Sequence, residues 1–129
     1  MKWMVGYDDK TDHVFGRIEG ALTKDIAFNY FTRVVSVAVE NDCTKVLTDV
    51  RNAQLMADDK DMEELAGELA PKIGLLTSFK RALLVNGDVK AYKTWENFCF
   101  KNGHKNMRIF SNEEAALEWL SARSIDLTR

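Results

Sequence analysis

At 129 residues, 46% of them hydrophobic, the chain is long enough to bury the core of one ordinary domain, which excludes a miniprotein held by disulfides or metal. A formal net charge of -2 argues against a dedicated nucleic-acid binder, because the phosphate backbone rewards clustered excess Lys and Arg. Its two cysteines, Cys43 and Cys99, have neither metal-ligand spacing nor a framework pattern, and read as reduced thiols of a cytoplasmic protein.

The N-terminal stretch, residues 1–9, has too short an apolar run for a signal-peptide core, and no segment approaches membrane-spanning length. With one Pro, seven Gly and no repeat or low-complexity tract, residues 1–129 read as a single domain. Large apolar residues alternate at Trp3, Val5 and Tyr7. His13 to Gly20 is again strand-prone, with Val14 and Ile18 on one side and Phe15 on the other. The polar Asp8 to Asp12 link makes the two a hairpin, which Gly20 ends. Thr23 then suits an N-cap with Asp25 in the first turn, and Ile26, Tyr30, Val34 and Ala38 recur beside Ala27, Phe31 and Val35. That spacing specifies a helix to about Glu40. Phe28 and Val39 widen its apolar arc beyond the ~100° stripe of a helix packed on one neighbour. An adjacent helix or a partner is therefore expected against Phe28, Val35 and Val39.

Lys45 to Arg51 reads as a short buried central strand that ends in charge. Asp49 and Arg51 fall at the C-terminal end of a parallel strand, the edge at which α/β sheets meet ligands and partners. Arg51 to Ala57 reads as a loop. Asp58, Asp59 and Asp61 open a helix carrying Met62, Leu65, Ala66, Leu69, Ile73 and Leu76 at helical spacing. Acids are favoured there by the macrodipole, and no calcium-loop spacing follows, so no metal is expected. Pro71 should kink or divide this helix. Arg81 to Asn86 is the next buried strand, apolar on both faces. Asp88 to Lys101 forms a helix with Ala91, Tyr92, Trp95, Phe98 and Cys99 on one side, a core stripe rather than a cofactor box. Asn102 and Gly103 stop it. Met107 to Phe110 is the last strand, and Ser111 to Glu114 is a capping box leading into Ala115, Ala116, Trp119 and Leu120.

The order specifies an α/β domain with a mostly parallel five-stranded sheet, an antiparallel N-terminal edge strand and right-handed crossovers. Charge is uneven along it. Met56 to Ala70 holds six acids against one Lys, and Phe79 to Arg108 holds seven Lys or Arg against Asp88 and Glu96. These are solvated helix faces or a charged docking surface.

Arg17-Ile18-Glu19-Gly20-Ala21-Leu22-Thr23, Val46-Leu47-Thr48-Asp49-Val50-Arg51, Arg81-Ala82-Leu83-Leu84-Val85, and Arg108-Ile109-Phe110 with Ala115-Ala116-Leu117-Glu118-Trp119-Leu120 resemble, in order and spacing, the SpoIIAA-like family of the STAS superfamily. The resemblance spans nearly the whole chain. It implies a right-handed βα superhelix, shared with anti-sigma factor antagonists and the lipid-binding lobe of Sec14-type proteins, and a binding module rather than a catalyst. Sigma-pathway members carry a phosphorylatable Ser where this chain reads Met56-Ala57-Asp58-Asp59-Lys60-Asp61, and no Ser or Thr occurs between Thr48 and Thr77. The usual phosphoserine switch is therefore expected to be absent.

Nothing in the sequence assembles a nucleophile, base or metal, and there is no Gly-rich phosphate loop, so neither catalysis nor a cofactor is expected. His13 and His104 are far apart, and neither adjoins a nucleophile motif. Asp49 and Arg51 read as an ion pair tying the strand end to the following segment. Two functions remain. One is a protein-interaction module, with a protein partner or itself as a homodimer, using the first long helix or the charged segment from Arg51 to Asp61. The other is a carrier or sensor of a small apolar ligand or lipid. Strands apolar on both faces, in a superhelix with helices on one side, require a partner, an N-terminal element or a ligand to cover the second face.

Overall fold

The computed structural model of the chain describes residues 2–73, 79–87 and 89–122. The elements run β1 (Lys2–Asp8), β2 (His13–Leu22), α1 (Lys24–Glu40), β3 (Lys45–Leu55), α2 (Asp59–Ile73), β4 (Lys80–Leu84), α3 (Val89–Lys101), β5 (Met107–Phe110) and α4 (Glu113–Ser121). The strands form one sheet in the order β1-β2-β3-β4-β5, with β1 antiparallel to β2 and every other pair parallel. This is the mixed α/β sheet that the element order specifies. Leu76 and the expected helix start at Asp88 lie outside the described residues.

Local chemistry accounts for most element ends. Thr23 caps α1, its hydroxyl accepting from the Ile26 N–H at 3.3 Å. The helix closes where the Cys43 N–H reaches the Ala38 carbonyl at 2.9 Å, with Asp42 at φ 49, a left-handed turn that Asp tolerates better than most side chains. Pro71 lies in the last described turn of α2 and does not divide it. Asn112, not Ser111, caps α4: its backbone is extended and its side chain accepts from the Ala115 N–H at 2.9 Å. The expected capping box is thus displaced by one residue.

Two strands run further than the sequence reading allows. Gly20 has φ 81 but does not end β2, which continues to the buried Leu22. Nor is Arg51 to Ala57 a loop, since β3 extends to Leu55. The reason is pairing. β2 and β3 are in register from Val14↔Val46 to Arg17↔Asp49 and resume at Glu19↔Asn52 through Leu22↔Leu55, one residue out of step. Val50 and Arg51 together face Ile18, a bulge in β3 that keeps the ladder going.

Burial separates two cores. Val14, Ile18, Val46, Val50 and Leu83 meet α1 (Tyr30, Phe31, Val34), α2 (Leu65, Leu69) and α3 (Tyr92, Trp95). On the opposite face Leu47, Ala82 and Leu84 meet Ala116 and Leu120 of α4, with Phe110, Leu117 and Trp119 at the margin. Over β3, β4 and β5 the second face is therefore covered by the chain's own last helix, which corrects the expectation of a partner, N-terminal element or ligand for that part of the face. The i, i+4 pair Ala116 and Leu120 gives α4 one narrow apolar edge, and the small Ala116, fully buried, lets the helix approach the strands closely. Burying Leu47, Leu84 and Leu120 stabilises this layer by roughly 2 kcal/mol each.

Candidate functional site

α4 covers the sheet over β3, β4 and β5, and beside it the hairpin face stays open. A groove of about 430 Å³ runs between α4 and the β1–β2 hairpin. Alternation along β2 sends the side chains of His13, Phe15 and Arg17 into it, while those of Val14 and Ile18 point at α1. Antiparallel register sets Asp8, Gly6 and Met4 of β1 opposite those three. Gly6 matters here: a Cβ at that position would stand 2.9 Å from the Phe15 Cζ, so the absence of a side chain lets the Phe15 ring lie across β1. Met4, 48% exposed, forms part of the apolar rim.

The groove floor carries a charge network that the β3 bulge assembles. Asp49 accepts from the Arg51 backbone N–H at 3.0 Å, from Arg51 Nε at 3.1 Å and from Arg51 Nη2 at 2.9 Å. Arg17 Nε lies 3.6 Å from the same carboxylate, and Arg51 Nη2 lies 3.4 Å from Glu113 Oε1 at the start of α4. The amide donating to Asp49 is that of a bulge residue, so the carboxylate satisfies a donor where the ladder is interrupted. Burial alone would raise the Asp49 pKa, but the Arg51 hydrogen bonds and the Arg51 and Arg17 charges outweigh it and hold the carboxyl below the usual range. A carboxylate so held is a weak base near neutrality. At the other end of the groove, His13 is buried and its Nδ1 lies 2.6 Å from Thr11 Oγ1. Burial lowers its pKa against the opposing charges of Asp8, Asp12 and Glu113. The arrangement suits recognition by fixed charges beside an apolar rim.

The residues picked out from sequence do not converge. Asp49 and Arg51 sit at the groove, and their fork is internal to β3 with a link to α4. Asp58 and Asp61 cap α2 reciprocally: the Asp61 N–H donates to Asp58 Oδ1 at 2.8 Å and the Asp58 N–H donates to Asp61 Oδ2 at 3.2 Å. Asp59 is an exposed acid in the same first turn. On α1, behind the sheet, Phe28 is half-buried against the core with Lys72 Nζ of α2 5.8 Å from its ring centre. α2 therefore supplies a neighbour for Phe28. Val35 is half-buried and Val39 is 58% exposed. Sequence reading passed over Arg17, Glu113, His13 and Phe15. Period-2 alternation placed Phe15 on the face away from Val14, but only the β2–β3 register brings Arg17 to Asp49.

An apolar cavity between the sheet and α1 to α3, lined by Ile18, Phe31, Val50, Leu65 and Trp95 among others, has a volume of about 40 Å³. Ligand sites for small molecules usually span roughly 300–1,000 Å³. Cys43 and Cys99 are buried free thiols. Among the described residues no group of three His, Cys, Asp or Glu side chains is placed to hold a metal, and no helix is long and apolar enough to cross a membrane.

The fold has close counterparts of known structure. An uncharacterised protein of the DUF3478 family with a SpoIIAA-like fold, from Shewanella loihica PV-4, superposes with a TM-score of 0.62 at 17% identity, over 92% of this chain and 93% of that one. This chain has a SpoIIAA-like fold. The anti-sigma factor antagonist SpoIIAA in its unphosphorylated form agrees, with a TM-score of 0.54 at 14% identity over 91% of this chain and 96% of that one. No family model and no curated protein matches the sequence. In the SpoIIAA-like frame, the groove is bounded by the antiparallel edge hairpin and the last helix.

Proposed function

We propose that the chain is a non-catalytic STAS-like binding module that docks a protein partner in the groove between the β1–β2 hairpin and α4. The observation that carries this reading is the Arg17–Asp49–Arg51–Glu113 network beneath an open, partly apolar groove. Fixed paired charges give orientation and selectivity, and Phe15, Met4 and Leu117 give apolar area to bury. The fold likeness to an anti-sigma factor antagonist supports a regulatory interaction. The first turn of α2 is served by Asp58 and Asp61 and no hydroxyl residue lies from Asp49 to Ile73, so partner binding runs without a phosphoserine switch there. The alternative of a lipid or apolar-ligand carrier is not adopted, because the apolar cavity of about 40 Å³ would hold little more than a water or two.

The test compares the wild type with Met4→Glu, Arg17→Glu and Val39→Glu in affinity capture from the source cells, read by quantitative mass spectrometry. Loss of a captured protein with the two groove variants but not with Val39→Glu supports the reading. Loss only with Val39→Glu moves the interface to α1 and sinks it. Native mass spectrometry of the purified protein decides whether the partner is a second copy, and a reproducible apolar adduct would restore the carrier.

A further inference from the structure

Between Phe79 and Arg108 the sequence gathers seven Lys or Arg, and the described lining of the hairpin groove includes none of them. Four of these cations, Lys80, Lys93, Lys105 and Arg108, line a second groove of about 500 Å³ bounded by α3, β5 and α4. Glu96 is the one acid among its described lining residues. Phe100 of α3 and Trp119 of α4 stand on its walls, and Phe100 is 57% exposed.

The four cations are of two kinds. Lys93 pairs with Glu96, and Lys80 Nζ donates to the Trp119 carbonyl at 2.6 Å near the end of α4. Lys105 and Arg108 are exposed and form no ion pair among the described residues. Each lies by a ring instead: Lys105 Nζ is 5.6 Å from the Phe100 ring centre, and the Arg108 guanidinium is 5.9 Å from that of Trp119. Burial and the charges of Lys45 and Arg108 lower the Lys80 pKa, so positive charge is crowded here with no free acid to relieve it. A lone exposed Lys or Phe is ordinary surface. Two cation–ring pairs in one groove define a complement, which is a pair of anionic groups with an apolar group between them.

We propose that this groove docks a short acidic segment of a partner protein, whose carboxylates meet Lys105 and Arg108 while an apolar side chain between them packs on Phe100 and Trp119. Recognition is by side chains alone. The charge pairs supply selectivity, and burial of the rings supplies affinity. Two unpaired cations match two carboxylates, but they are few for a nucleic acid, whose binding rests on many phosphate contacts. A flat anionic membrane would meet a concave groove only at its rim. Residues 123–129 of the chain carry Arg123 and Arg129 against Asp126, the wrong sign for an occupant from the chain itself. The site shares no described lining residue with the hairpin groove and does not depend on it.

The probe is a rhodamine-labelled nonapeptide of glycine and serine with a central phenylalanine and a glutamate on either side of it, titrated at low salt by anisotropy. Saturable binding is expected, and it should weaken as salt is added. Lys105→Glu with Arg108→Glu, both at exposed positions, should weaken it by about tenfold with the melting temperature retained. Phe100→Ser should do the same. Against the unaltered protein, peptides with glutamine for glutamate or serine for phenylalanine should each bind about tenfold more weakly, while Met4→Glu leaves the affinity for the parent peptide unchanged. Absence of saturable binding, or equal binding of the glutamine peptide, overturns the proposal. So does tighter binding of an oligothymidylate or of phosphatidylglycerol vesicles, or a dimer in native mass spectrometry that Lys105→Glu with Arg108→Glu dissolves.

Discussion

The Tyr30 hydroxyl on α1 occupies the space that a side chain at Gly16 on β2 would fill: a Cβ there would stand 2.0 Å from the Tyr30 Oη. From that notch the hydroxyl donates to Thr48 Oγ1 at 2.8 Å, and Thr48 is the β3 neighbour of Gly16 in the parallel register. One fully buried ring thus fixes the height of α1 over two strands. Tyr30→Phe should cost about 1 kcal/mol for the lost hydrogen bond. Gly16→Ala should cost more, about 3 kcal/mol, because the ring retreats only if α1 moves. Urea midpoints at constant slope measure both. Equal costs would mean that the notch closes without strain.

Asp49 makes stability depend on acid. Its folded pKa lies below its ordinary value of 3.8, so its contribution is present above about pH 4 and is lost as pH falls through the folded value. Asp49→Asn should be less stable than the wild type near pH 7, and the gap should narrow steadily below about pH 4. A gap that stays constant on acidification would show that the carboxylate charge is not what holds Arg51.

His104 acts in a higher window. Burial, with the Arg81 charge adding to it, lowers its pKa from 6.5 to about 3, and its Nε2 is buried without a hydrogen-bond partner among the described residues. The unfolded chain takes up a proton as pH falls through 6.5 while the folded chain does not, so folding weakens progressively from there towards pH 3. In NMR titration His104 should stay neutral above about pH 4. His104→Phe should flatten the fall in stability between about pH 6 and 4, and an unchanged slope would place it elsewhere, with His13 the next group to examine.

Arg81 is 3% exposed, with its guanidinium 4.3 Å from the Phe31 ring centre and 5.9 Å from that of Trp95. Its Nη1 has no hydrogen-bond partner among the described residues. A buried cation held by ring faces and by the Cys99 sulfur is costly to desolvate, so Arg81→Met should be within about 1 kcal/mol of the wild type or more stable. Arg81→Lys should lose about 2 kcal/mol, since an ammonium cannot lie flat on a ring and is harder to strip of water. A strongly destabilised Arg81→Met, seen in thermal melts, would show that the hydrogen bond to Cys99 outweighs the cost of burying the cation.

Phe15 tests the shape of the hairpin groove. Gly6→Ala puts a methyl where the Phe15 ring tip now lies. A ring tip can swing aside, so stability should change by only about 1 kcal/mol. Partner capture should nevertheless fall, and retention of full binding would mean that Phe15 is not part of the docking surface.

Local signals were enough for much of the fold. The Thr23 cap and the four-residue period through Ile26, Tyr30 and Val34 fix α1 from Lys24 to Glu40, and the alternation of Trp3, Val5 and Tyr7 fixes the face of β1, because those preferences act within a few residues of sequence. The element order likewise specifies the mixed sheet and its antiparallel edge. Tertiary structure alone decided the rest. Pairing with β2 carries β3 past Arg51 to Leu55 through a bulge, and the cost of leaving strand amides unpaired, which no local pattern carries, is what extends it. α4 crosses to the second face because Leu47, Ala82 and Leu84 need cover, a demand set by strands more than twenty residues away in sequence. The site follows from both: Arg17, Asp49, Arg51 and Glu113 meet only once the sheet register and the final helix are in place.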